Sequence, residues 1–315
     1  MDTHYNREAA KDTLEKLLST RLAEVQGKDD PSIQHLSGVQ VNNLVVQETG
    51  DKRKLWRVGP ANESGDMECE TVFRVQGALS RVDLVARSSM GRSKATKAAN
   101  FSQRVQIVGL GSALFDQAVA NASLVQATFG RYFAGQTVTA WPVGTAEVFI
   151  NASTRYFTRA VDDRAATAVA FGRGVDPLNA LGPFNAQGLI HTEDNIVKYY
   201  KLVTDRGEPR YHSATPAEFR VGDLVEIRGT IVAFPSKANE IKTYYHMSSL
   251  IRLDTKYSIA AEDAKAAEWS KMHMQFAPAS TMLRRNAAHL EEDEDVLRAH
   301  KKFKDMSVID RAEKS

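Results

Sequence analysis

Residues 219–254, FRVGDLVEIRGTIVAFPSKANEIKTYYHMSSLIRLD, decide the fold. Val225, Ile227, Gly229, Ile231 and Ala233 fall on one face of an extended segment, and Glu226, Arg228 and Thr230 on the other. A period of two residues is the pattern of a strand with one face toward a core. Gly222-Asp223 supplies the turn into it. Gly229 stands mid-strand, where a residue without a side chain marks a bulge or a tight bend, the kind a small barrel needs to curl. Pro235, which has no N–H to give a ladder, opens the turn region that runs to Asn239. The return segment puts Ile241, Thr243, Tyr245, Met247, Ser249, Ile251 and Leu253 on one face. Lys242, Tyr244, His246, Ser248 and Arg252 fall on the other. The expectation is two adjacent antiparallel strands whose outer face carries Arg228, Lys242, Tyr244, His246 and Arg252.

Upstream the texture is the same. Short β-rich runs alternate with Gly, Asn and Asp from residue 40 onward: Val41–Gln47, Lys54–Val58, Glu70–Val75, Arg81–Ala86, Arg104–Val108, Thr137–Trp141, Ala146–Ile150 and Ile196–Val203. Few helical patterns lie between them, which favours a barrel or sandwich over βαβ units. The fold class read from this is mainly β, a barrel or sandwich of about 8–10 antiparallel strands with N- and C-terminal helices, and a barrel of the oligonucleotide-binding type is one option for its C-terminal half. Residues 1–27 form the N-terminal helix, 40–255 the β-rich domain and 256–315 a helical extension. In the first helix Ala10, Leu14, Leu17, Leu18, Leu22 and Val25 make one apolar stripe. A further helix is expected over Leu114–Phe129, another over Ile259–Phe276 with Ala266, Trp269, Met272 and Phe276 on the docking face and Pro278 ending it, and a last one over Thr281–Lys304. Val161–Phe171 is ambiguous between helix and strand.

The chain has 315 residues, 43% hydrophobic and 25% charged, so it can bury a sizeable core. A net charge of +2 excludes a uniformly basic coat and leaves electrostatic binding to local patches. The single cysteine, Cys69, excludes an internal disulfide and a cysteine-rich zinc site. Met1–Arg7 lacks the apolar core of a signal peptide, and no run approaches the ~18 apolar residues of a membrane span. The expected place is therefore intracellular, nuclear or cytoplasmic, with no membrane partner.

Three features point to a ligand. The stretch Arg81–Arg104 carries Arg81, Arg87, Arg92, Lys94, Lys97 and Arg104 against Asp83 alone, and its middle reads as a flexible basic loop between two strands. Such a loop can follow a phosphate backbone, releasing counterions at each contact. Arg131-Tyr132-Phe133 and Arg155-Tyr156-Phe157 repeat one triplet, each able to place one ring in the core and one outside, which makes Tyr132 and Tyr156 candidate stacking platforms. The third feature is the hairpin face with Arg228, Lys242 and Tyr244. Together they give the leading expectation: a non-enzymatic protein that binds single-stranded DNA or RNA. The alternative is a structural, self-assembling β-protein joined into a homo-oligomer through its terminal helices.

The motif His191-Thr192-Glu193-Asp194-Asn195, then Tyr199-Tyr200, the strand Phe219–Phe234, Pro235, Lys242 and Leu253-Asp254 resembles a group of uncharacterised proteins from basidiomycete fungi. The resemblance covers residues 190–254 and implies a shared fold and a fungal source, without a chemistry.

A metal-dependent enzyme is the third reading. His191, Glu193 and Asp194 are close in sequence, with His212 or His246 as a further ligand, but they lack the helical spacing of a zincin. Asp162-Asp163-Arg164 is a carboxylate pair of the surface-turn type. Gly109-Leu110-Gly111 lacks the third glycine of a dinucleotide turn, since Leu114 holds that place. No cofactor is implied.

Overall fold

The protein is described from a computed structural model, which places residues 3–27, 30, 32–48, 55–67, 69–133, 135–139, 147–160, 167–205, 208–236 and 239–276. For residues 273–276 it describes the backbone. The chain divides into two units, Met1–Lys265 and Ala266–Ser315. Asp162-Asp163-Arg164, Trp141, Pro278 and the expected helix Thr281–Lys304 lie outside the described residues.

The described elements are α1 (Arg7–Gln26), β1 (Ile33–His35), β2 (Leu44–Glu48), β3 (Trp56–Pro60), β4 (Val72–Asp83), α2 (Ala95–Ala98), β5 (Ser102–Val108), α3 (Ala113–Tyr132), β6 (Thr137–Val138), β7 (Phe149–Arg155), β8 (Thr158–Arg159), β9 (Leu189–Ile190), β10 (Lys198–Asp205), β11 (Glu208–Ser213), β12 (Leu224–Pro235), β13 (Glu240–Asp254) and α4 (Lys256–Phe276). Eleven strands form one mixed sheet, and β8 and β9 pair apart from it.

Within the large sheet five strands close on themselves. β4 pairs with β5, β5 with β7, β7 with β13, β13 with β12, and β12 returns to β4. The β7–β13 pair is parallel and the other four are antiparallel. The sheet is therefore mixed rather than wholly antiparallel. Closure brings together strands whose directions are set by the connections between them.

The expected hairpin is present, and its bend has a definite form. The register shifts between Arg228 and Gly229, so Arg228 faces Ser249 while Gly229 faces Met247. Ser248 is left over as a bulge. A bulge in β13 reverses the facing of everything beyond it. Arg252, opposite Val225, therefore lies on the apolar side and not beside Lys242, Tyr244 and His246. There it holds the Glu218 carbonyl at 2.7 Å.

β4 replaces two expected strands, Glu70–Val75 and Arg81–Ala86. Gly77, inside β4, is a close approach: a Cβ there would come within 2.9 Å of Ile107 and 3.1 Å of Phe115. Phe115, Ala118, Ala122, Val125 and Phe129 line the buried face of α3. In α1, Ala10, Leu14 and Leu18 are fully buried, so the apolar stripe is covered by its own unit. Arg21 is buried in line with them. The start of α4 is anchored by Tyr257, Ser258 and Ala261. Trp269 and Met272, in the second unit, are about half exposed.

Candidate nucleic-acid interface

Side chains at partnered positions of neighbouring strands share a face, so register tells which expected residues come together. Arg104 of β5 faces Ser153 of β7, and Arg155 lies two residues along on the same side. Ser153 in turn partners His246 of β13. Tyr244 and Lys242 follow His246 at two-residue steps, opposite Val232 and Phe234 of β12. Val232 also faces Arg57 of β3. Arg104, Arg155, His246, Tyr244, Lys242, Phe234 and Arg57 thus lie on one side of the barrel wall.

Part of this wall is hollowed into a cleft of about 230 Å³. Arg57, Arg155 and Arg159 supply its cations, and Phe157, Phe234, Tyr244 and His246 its rings. Phe234 meets Tyr244 edge-on at 5.6 Å, and Tyr244 lies 6.0 Å from the His246 ring. Arg57 is paired with Glu70. Arg155 and Arg159 are exposed, and among the described residues no carboxylate forms an ion pair with either. Burial, with Arg57 beside it, holds His246 below its ordinary value of 6.5, so the ring is neutral near pH 7. Asp194 and Asn195 close one side of the cleft. The turn bearing them is fixed by a capping box in which the Thr192 hydroxyl and the Asn195 side chain satisfy each other's backbone.

The other expected residues are placed differently. The segment between β4 and β5 holds a short turn and α2, tied by local contacts, in place of an open loop. Arg87 pairs with Asp83 at 2.9 Å, and the Ala86 N–H reaches the Val175 carbonyl at 2.8 Å. Arg92 ends a short turn, Lys94 precedes α2 and Lys97 lies within it, all three exposed. Ala99, just beyond α2, lines the cleft. Arg131 and Tyr132 end α3, beside Thr128, Leu44 and Val45, in a separate depression. In that triplet Tyr132 is 51% exposed and Phe133 is buried, as the spacing predicts.

The second triplet departs from the expectation. Tyr156 and Phe157 are both buried. The Tyr156 hydroxyl donates to the Leu84 carbonyl at 3.0 Å, and burial raises its pKa. Tyr156 stands just past the end of β7, inside a shell that includes Phe171, whose ring lies 6.5 Å away. It cannot stack on a base. His191 is also turned inward: its Nδ1 contacts the Tyr156 carbonyl at 2.8 Å and its ring lies 4.3 Å from Phe171, while Glu193 and Asp194 are exposed. Among the described residues no group of three His, Cys, Asp or Glu could hold a metal ion. No described helix is long and apolar enough to cross a membrane.

Sequence reasoning singled out Arg155, Tyr244 and His246 but missed Arg57, Arg159 and Phe234. No local signal marks these, because each comes from a different strand and only the folded chain brings them together.

No family model and no curated protein matches the chain. Among solved structures it is similar to the crystal structure of gp2.5, a single-stranded DNA binding protein encoded by bacteriophage T7. The identity is 8%, over 59% of this chain and 87% of that one, and the TM-score is 0.34. A likeness at that level carries no argument.

Proposed function

We propose that the chain is an intracellular protein that binds single-stranded nucleic acid across the outer wall of β5, β7 and β13, with a base seated in the cleft. The observation that carries this is the meeting of exposed Arg155 and Arg159 with the rings of Phe234, Tyr244 and His246 in one hollow. Cations beside aromatic rings are what a sequence-tolerant single-strand binder needs, since rings take base faces and guanidiniums take phosphates.

The barrel supports the same reading. Counting β4, β5, β7, β12 and β13 as strands one to five, the closed order is one, two, three, five, four. We take this as a barrel of the oligonucleotide-binding type, in which the face of strands two and three and the loops one–two and four–five receive the ligand. Here strands two and three carry Arg104 and Arg155. The one–two loop carries Arg87, Arg92, Lys94 and Lys97, and the strand leaving the four–five turn carries Lys242. The resemblance to basidiomycete proteins covers the turn at 193–195 and both strands of the hairpin. It bears on a shared fold and a fungal source, and it leaves the chemistry to these residues.

The test is fluorescence anisotropy with labelled oligothymidylate and oligouridylate under rising salt. Binding at low salt that weakens steeply as salt rises, and that Arg155→Ala with Arg159→Ala weakens further, is the expected result. No binding of either oligonucleotide at low salt overturns the reading.

A further inference from the structure

Arg228, expected on the ligand face, is absent from the cleft. It lies six residues from Phe234 along β12, about 20 Å at ~3.3 Å per residue. Its partner across β4 is Arg74, and the next residues on that face are Glu226 and its partner Gln76. The Glu226 carboxylate is fully buried. One oxygen accepts from Arg228 Nε at 2.5 Å. The other accepts from Gln76 Nε2 at 2.9 Å and faces Arg21 Nε of α1 at 3.4 Å. The Arg21 and Arg228 guanidiniums lie 5.9 and 5.5 Å from the ring of Tyr211 on β11.

Arg21 has a second carboxylate, Glu24, at 2.7 Å. Arg74 forms no direct ion pair among the described residues, and its Nε is buried without a hydrogen-bond partner. Burial and the facing Arg228 push its pKa down against the pull of Glu226 and Tyr211, and a guanidinium stays charged at any physiological pH. The Glu226 charge is already held by Arg228 and Arg21, so Arg74, facing Arg228 with an unsatisfied N–H, is relieved by a further anion.

We infer that Arg74 and Arg228, with Arg21 beside them, form a binding site for a phosphate-type oxyanion, whose oxygens the Arg74 fork takes. Guanidinium forks match phosphate oxygens two by two, which a lysine ammonium does not. The same chemistry is supplied by free phosphate or by a phosphodiester of a bound strand. Only the second source rests on the function proposed above.

The experiment measures the thermal midpoint of the full chain against inorganic phosphate, with chloride at matched ionic strength as the control. It also measures the salt dependence of oligothymidylate binding. Three proteins are compared: wild type, Arg74→Met and Arg74→Lys. The lysine variant keeps the charge and guards against a folding defect, and circular dichroism checks both variants. The expected result is a rise in the wild-type midpoint that saturates with phosphate, is absent in Arg74→Met and is largely lost in Arg74→Lys. If the oligonucleotide salt slope also drops by ~0.7 in Arg74→Met, the natural anion is a backbone phosphodiester. If the slope is unchanged, or no oligonucleotide binds, the saturable phosphate response still supports a site for free phosphate or a nucleotide. No response beyond chloride in wild type, or an equal response in wild type and Arg74→Met, overturns the inference.

Discussion

Gly229 faces the backbone carbonyl of His246 so closely that a Cβ built on it would lie 2.0 Å from that oxygen. The contact sits at the bulge where β12 and β13 change register, and it lets two barrel strands approach with no side chain between them. Gly229→Ala must push the strands apart. The expected cost is about 1–3 kcal/mol or more, seen as a lower urea midpoint with little change in slope. An unchanged midpoint would show that the strands are not so close.

Tyr245 is fully buried, and its hydroxyl donates to the Phe73 carbonyl at 2.7 Å. Tyr245→Phe keeps the ring and deletes that donor. A loss of about 1–2 kcal/mol is expected, with the far-ultraviolet spectrum preserved. A neutral substitution would mean that the Phe73 carbonyl finds another donor.

Tyr244 and Tyr156 are both tyrosines of the expected ligand face, and they should now behave oppositely. Tyr244 lines the cleft, so Tyr244→Ala should weaken oligonucleotide binding by ~1–3 kcal/mol while Tyr244→Phe retains most of it. Tyr156 is sealed in the core, so Tyr156→Phe should leave affinity unchanged and lower stability by about 0.5–1.5 kcal/mol. Anisotropy and urea unfolding on wild type and these three variants separate the two roles. Loss of affinity in Tyr156→Phe would contradict the placement.

Three histidines set a pH dependence. Burial is the largest cause holding His35, His191 and His246 below the ordinary value of 6.5. As pH falls below about 6.5 the unfolded chain takes up protons that the folded chain does not, so stability is full above that pH and declines below it. His35 shows why its ring resists protonation. Nδ1 accepts the Ser37 N–H at 3.2 Å, and Nε2 lies 2.6 Å from Gln76 Oε1, which suits one neutral tautomer. Urea midpoints should fall from about pH 7 to about pH 5, less steeply in His35→Gln. A midpoint that rises on acidification over that range would mean that the folded chain takes up the protons more readily than the unfolded one.

What the sequence by itself determined was local. Alternation from Phe219 to Asp254 specified two paired strands. The missing side chain at Gly229 specified the bend, the spacing from Ala10 to Leu18 the buried stripe of α1, and Phe115, Val119 and Ala122 the helix α3. These follow from periods of two and of about 3.6 residues, which depend on neighbours along the chain alone. Tertiary structure decided which faces meet. The bulge at Ser248 turned Arg252 away from Tyr244, a reversal that no strict count of two could foresee. The shell around Phe171 turned Tyr156 inward. The cleft joins Arg57, Arg155, Arg159, Phe234 and Tyr244 from separate strands, and Arg74 meets Arg228 only where β4 lies beside β12. Such meetings depend on register and closure between distant segments, and a single chain read in order carries no record of either.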